Sequence, residues 1–229
     1  MQVKFSFDVP QYYIVKFSKV IREKLDVIML QLDVLYCIQS GIREMPNGNL
    51  VVENGDIKRM YFFEQNRYYS ASFPFLIKKG DSEEEGYSFY CNDIEISSSL
   101  LANMQEIISQ LRERGLSSIE YFDLIAAIED VSLDECGKFN KVKADALWNI
   151  ISYLLTVEDS YVRYDYDEAH VEANHPLNHL DINYSTYGTY KIGLPDSKKE
   201  FGIENKHYIS PSWFRELCNS NPIKRIENV

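Results

Sequence analysis

The spacing of apolar residues switches repeatedly along the chain, and that switching most limits how the chain can fold. Val20, Ile21, Leu25, Ile28, Leu32, Leu35 and Tyr36 recur at three- and four-residue steps, with Arg22, Glu23, Lys24 and Asp33 off the stripe. This is the period of an amphipathic helix, the longest the sequence predicts, and Gly41 stands where a left-handed cap would end it. The stripe is too broad for a coiled-coil seam, so it reads as a core-facing surface. From 49 to 96 the chain turns to aromatic and β-branched runs separated by Asn54-Gly55, by Gln65-Asn66 and by the polar loop KKGDSEEEG. Those turn signals predict an antiparallel meander of four strands, at 50–53, 57–64, 67–78 and 87–91, with helix on one face. The helical period then returns in three segments. Serines 97 to 99 can cap the first, Ser117 with Glu120 has the spacing of a capping box for the second, and Asn140 can cap the third. Alternation resumes between 161 and 184. Shorter signals flank this pattern: a strand or extended arm at 3–7 before Pro10, a short strand at 191–194, and a helix opened by Ser210-Pro211 and running to Cys218.

These switches predict an α+β protein: an antiparallel or mixed sheet packed against helices, with a helical segment between two groups of strands. A chain of 229 residues that is 45% apolar can bury a core without staples, so a single domain over 1–229 is expected, with 97–157 a candidate helical insertion. The formal charge of −11 repels polyanions, which argues against nucleic-acid binding over the general surface and favours a protein partner, basic if electrostatics contribute. Cys37, Cys91, Cys136 and Cys218 form no CxxC pair and read as buried free thiols in a reducing compartment. The start MQVKFSFDVP lacks the features of a signal peptide, and no apolar run approaches the length of a membrane span. A cytoplasmic location is therefore expected, with no membrane partner.

Chemistry concentrates in one stretch, YVRYDYDEAHVEANHPLNHLDINY at 161–184, which holds three of the four histidines. Read as two strands, it places Tyr161, Arg163 and Asp165 on one side of the first and His179, Asp181 and Asn183 on one side of the second. Three readings follow. The first is a catalytic site, in which His179 oriented by Asp165 or Asp181 works with His175 as a second proton carrier. Arg163 would hold an anion, and Tyr161 or Tyr164 could donate. The second is a site for zinc or manganese built from His170, His175, His179 and Asp181, with Asp165 and Asp167 nearby. His175 and His179 have the four-residue spacing of helical zinc sites, but Pro176 and the alternation after His179 argue for a strand instead. The third is structural: Arg163 paired with Asp165 or Asp181, and His179 donating to a backbone carbonyl, would lock two strands in register with no cofactor at all.

The order RYDYD, HPLNHLDIN, KIGLP and ISPSWFREL, mainly over 161–218, resembles a bacterial family known only as domain of unknown function 2290. Asp181 and Lys191 depart from the pattern of that family. The resemblance implies a bacterial, intracellular protein and supplies no activity. With no enzyme motif elsewhere, the expected function is that of an interaction or regulatory protein, in the setting of a phage-defence or toxin–antitoxin locus. The competing expectation is a nuclease or phosphodiesterase using Arg163, Asp165, His175 and His179. The acidic loop 81–85 and the exposed face of the meander are the expected partner surfaces.

Overall fold

A computed structural model describes residues 3–19, 21–55, 58–80, 86–115, 119–134, 136–172, 175–185, 188–194 and 209–219. The chain opens with β1 (Val3–Phe7), α1 (Gln11–Phe17) and α2 (Lys24–Gln39), followed by β2 (Leu50–Asn54), β3 (Arg59–Phe63) and β4 (Arg67–Ser72). Next come β5 (Leu76–Lys79), β6 (Tyr87–Cys91), β7 (Ile94–Glu95), α3 (Ser98–Arg114), α4 (Tyr121–Val131) and α5 (Lys141–Thr156). It closes with β8 (Val162–Tyr166), β9 (Asn178–Ser185), β10 (Gly188–Gly193) and α6 (Pro211–Cys218). The fold is α+β, and both of its sheets are antiparallel. Among the described residues, no helix is long and apolar enough to cross a membrane.

The chain forms two compact units, 1–8 with 44–72 and 159–229, and 9–43 with 73–158. The first is built on a seven-stranded sheet in the order β1-β2-β3-β4-β8-β9-β10. Two excursions leave this sheet and return beside their point of departure. Residues 9–43 depart after β1, and the chain rejoins where Met45 N–H donates to Ser6 O at 2.8 Å and Glu44 bridges Phe7. Residues 73–158 depart after β4, and Ser72 N–H meets Asp159 O at 2.9 Å on return. Gly48 is required at the first junction, because a Cβ there would stand 2.1 Å from the Phe7 carbonyl oxygen. One face of the sheet carries Tyr61, Tyr68, Tyr164, Tyr166 and Leu180, which form a core with Ile209 and Phe214 of the α6 segment. Ser210 caps α6 by accepting from Trp213 N–H at 3.2 Å, with Pro211 in the first turn, as the sequence predicts. Arg215 and Asn219 then reach back to the buried carboxylate of Glu53 on β2.

The second unit packs α2 against α3, with α4 and α5 completing a helical layer, and carries the small sheet β5-β6-β7. Ser97 and Asn140 cap α3 and α5 through their side chains, and Gly41 takes φ +85° just past α2. Asn92 and Asp93, both at positive φ, form the two-residue hairpin turn between β6 and β7.

The predicted meander is corrected in two ways. The strand expected over 67–78 breaks into β4 and β5, which lie in different sheets: Pro74 has no N–H to give a ladder, and the chain leaves the large sheet there. Within the large sheet the meander keeps no exposed face, since β2 is buried at every residue, β3 at four of five and β4 at four of six, whereas β5 in the small sheet exposes Leu76, Lys78 and Lys79 around buried Ile77. The helix read as the longest, α2, has 16 residues against 17 in α3, and a separate α1 precedes it. Part of the capping box expected from Ser117 and Glu120 lies outside the described residues. Glu120 instead shares a box with Asp123. Of the four thiols, Cys37 and Cys91 are buried, but Cys136 is exposed on the loop before α5.

Candidate functional site

Adjacent strands β8 and β9 bring the predicted residues together because their register places Arg163 opposite Asp181 and Asp165 opposite His179. The neighbouring strands extend the row: Arg67 of β4 faces Asp165, and Lys191 of β10 faces Asp181. Side chains directly opposite on one face of an antiparallel pair are in contact range, so the row is a direct product of pairing. Arg163 bridges it, with Nε 2.6 Å from Asp165 Oδ2 and Nη2 2.6 Å from Asp181 Oδ2. Arg67 Nε lies 2.6 Å from Asp165 Oδ1, and Lys191 Nζ 2.8 Å from Asp181 Oδ1. Each carboxylate is therefore held by two cations.

His179 sits at the centre of the row with a fully buried side chain. Its Nδ1 is 2.7 Å from the Pro176 carbonyl oxygen, and its Nε2 faces Asp165 Oδ2 at 3.6 Å and Asp181 Oδ2 at 3.9 Å. Pro176 in turn lies over Gly193, leaving only 2.9 Å for a Cβ at that glycine. The hairpin loop between β8 and β9 folds back on the row, and the His175 ring rests edge-on against His179 with centroids 4.5 Å apart. His170 is at the surface, paired with Asp167 at 3.0 Å, and its ring lies 6.3 Å from that of His175. The histidines thus form a line from surface to interior. Among the described residues, ligating atoms of Asp165, His179 and Asp181 gather within 4.8 Å of one another, a group that does not include His170 or His175.

Burial alone would push the Asp165 carboxyl up, but the facing His179 imidazole, Arg163 and Arg67 outweigh it and hold the group well below the usual carboxylate range. A depressed pKa means that Asp165 stabilises the fold above its unfolded value of about 3.9 and that this contribution drains away as the pH falls further. Acid titration of the unfolding midpoint is expected to show this loss, and Asp165→Asn to flatten the acid limb. An unchanged limb in the variant would refute the assignment. Burial dominates for the Arg163 guanidinium as well and opposes its charge, yet Asp165, Tyr161 and Asp181 together raise its pKa. Tyr161, a predicted donor, is buried and its phenol is pushed up to about 12, so it keeps its proton. Tyr164 donates to Asn178 Oδ1 at 2.8 Å on the opposite face.

Arg67 and Lys191 belong to the row but were not legible as site members in the sequence, whereas the backbone carbonyl expected for His179 is that of Pro176. Arg67 reaches Asp165 across a separation of 98 residues, which no local pattern signals. A cleft of about 390 Å³ lies elsewhere in the sheet unit, lined by Lys4, Ser6, Glu44, Met45 and Pro46, none of them a predicted site residue.

The fold and the row define an α+β protein in which an ionic network runs across β4, β8, β9 and the edge strand β10 of the large sheet. No family model, no curated protein and no solved structure matches the chain, so its function is argued from these residues.

Proposed function

We propose that this chain is an interaction or regulatory protein that engages a protein partner through the α4–α5 hairpin, and that the ionic row serves structure rather than catalysis. The observation that carries the reading is the exposure of large apolar side chains along this one hairpin. Phe122 is 74% exposed and Val142 80%, and Tyr121, Leu133 and Phe139 are also exposed. Tyr121 packs edge-on against Phe122 and Trp148, which makes an aromatic group at one end, while Leu133 bridges Phe139 at the other. Exposed apolar groups clustered in this way mark surfaces meant to be covered. The exposed acids Glu120, Glu129, Asp130 and Asp134 border it. An apolar segment flanked by lysine or arginine is the chemistry that complements it, in keeping with the net charge of −11. The acidic loop 81–85 lies outside the described residues.

The row supports the same reading from the other side. A general base must reach its substrate within hydrogen-bond distance, and His179 has no exposed surface. Both carboxylates it would work with are already neutralised by Arg67, Arg163 and Lys191.

The test is affinity purification of the wild type and of a Phe122→Ser, Val142→Ser double variant from cells that express them at equal level. Loss of a specific protein partner is expected in the variant, with the melting temperature unchanged, because both side chains are already in water. Retention of the same partners would overturn the assignment of this surface. Metal-supplemented nuclease and phosphodiesterase assays complete the test. Turnover that disappears in folded His175→Ala and His179→Ala proteins would replace the reading with a catalytic one.

A further inference from the structure

We infer that the outer edge of β1 is a docking site for an extended segment of a partner protein, which adds to the large sheet as a further strand and sets a carboxylate against Lys4. The inference is independent of the α4–α5 surface, because every residue it uses lies in the sheet unit. It starts from the direction of the backbone groups. In an antiparallel sheet the N–H and C=O of one residue point to one side of the strand, and those of the next residue to the other. β1 is an edge strand, paired only with β2 in the sheet. Met45 N–H donates to Ser6 O at 2.8 Å from the side away from β2, so Ser6 faces outward. Lys4, two residues earlier, faces outward with it, while Phe5 and Phe7 direct their groups to β2. Among the described residues, no hydrogen bond reaches the Lys4 N–H or C=O.

The chain itself shows what this edge accepts. Residues 44 and 45 lie antiparallel beside Phe7 and Ser6, a two-residue stub of an added strand. The stub ends because Pro46 has no N–H to give and the chain turns there, with Gly48 N–H closing on Met45 O at 3.2 Å. The place that a longer strand would take beyond it is the cleft of about 390 Å³ lined by Lys4, Ser6, Glu44, Met45 and Pro46. Among the described residues none of β2 lines it, so the cleft lies beside the sheet and not over its face. An open strand edge selects another strand, since only an extended backbone repeats donors and acceptors at the same spacing.

Lys4 supplies the selectivity. Its side chain is exposed, and Glu53, opposite it on β2, is already held by Arg215 and Asn219. A residue paired with Lys4 from outside exchanges two backbone hydrogen bonds with it and shares its face, which favours Asp or Glu there and disfavours Lys or Arg. A second copy of β1 is a poor occupant, because two edges of one kind bring lysine beside lysine.

The experiment uses the full chain and a short synthetic peptide of alternating threonine and valine with a central glutamate, and reads amide hydrogen exchange by NMR. In the free protein the Lys4 amide is expected to exchange about a hundredfold faster than that of Phe5, which lies in the β1–β2 ladder. Saturating peptide should slow Lys4 about tenfold or more. The same peptide N-methylated at the glutamate and at the threonines two residues to either side should not, because it keeps the side chains and loses the donors that face the edge. Lys4→Glu, a change at an exposed position, should lose the glutamate peptide and bind its lysine counterpart. A Lys4 amide as slow as that of Phe5 in the free chain overturns the open edge. No slowing of Lys4 at millimolar peptide overturns the docking site, as does equal slowing by the N-methylated peptide. Slowing confined to the β10 amides of Tyr190 and Ile192 overturns it as well, and moves strand addition to the other edge of the sheet.

Discussion

Replacing Arg163 with methionine is expected to lower the stability of the fold by about 3–5 kcal/mol, the usual result of removing one partner from a buried ionic contact. Arg163 binds both carboxylates at 2.6 Å, and its own side chain is only 16% exposed. Once it is gone, Asp165 and Asp181 face each other and His179 Nε2 across a buried gap with no cation between them. Arg67 and Lys191 remain, but each holds the outer oxygen of one carboxylate and reaches only its own partner. Arg163→Lys should recover little, because an ammonium cannot present two fixed N–H groups to two acceptors. A triple variant that also carries Asp165→Asn and Asp181→Asn should recover a substantial part, since no carboxylate is left charged in the gap and the cations that lose their partners, Arg67 and Lys191, are partly exposed. Urea denaturation at neutral pH gives all three values. A single Arg163→Met change costing under about 1 kcal/mol, the scale of a surface pair, would show that the row contributes nothing to holding β8 on β9.

The second large effect is expected on the opposite face of the same sheet. Phe214 is fully buried against Phe63 and Tyr68, with ring centroids 6.5 and 6.0 Å away, and truncating such a ring to alanine costs about 3–5 kcal/mol. The loss should be felt beyond the cavity. Helix α6 has eight residues, too few to be stable alone, so its docking depends on this anchor. If it lifts, Arg215 and Asn219 leave Glu53, which is buried on β2. Phe214→Ala is therefore expected to melt at markedly lower temperature and to lose amide protection in α6 first. A variant with wild-type protection there would mean that the polar contacts to Glu53 hold the helix unaided.

Local signals were read well from the sequence, and long-range ones poorly, for a physical reason. Caps and turns are decided by a few neighbouring residues: Ser97, Asn140, Ser210 with Pro211, Gly41 and the Gln65-Asn66 turn all sit where the pattern placed them. The faces of β8 and β9 were legible too, since alternation alone puts Arg163 with Asp165 and His179 with Asp181. What alternation cannot say is which strand lies next to which. Arg67 entered the row only because β4 pairs with β8, and the aromatic run through Phe73 and Phe75 hid the point at which the chain departs to another sheet. The burial of His179 was equally out of reach, because it depends on a hairpin loop folding back over its own strands. Residue types named Arg163, Asp165, His179 and Asp181; only strand pairing could add Arg67 and Lys191, and only packing could bury the imidazole.

The two excursions from the large sheet also fix an order of events during synthesis. Every residue of the helical unit has been made once the ribosome passes 158, so that unit can complete itself early. The sheet cannot, because β4 pairs with β8, and nothing after residue 159 yet exists to cover it. Until then the backbone groups along one side of β4 form a raw edge, rich in tyrosine and open to pairing with another nascent chain. Arrival of β8 closes that edge with a strand whose charged residues meet their counterparts only in the correct register. The ionic row thereby acts at the moment of closure as a key, admitting one alignment of the late strands and rejecting its neighbours one residue away.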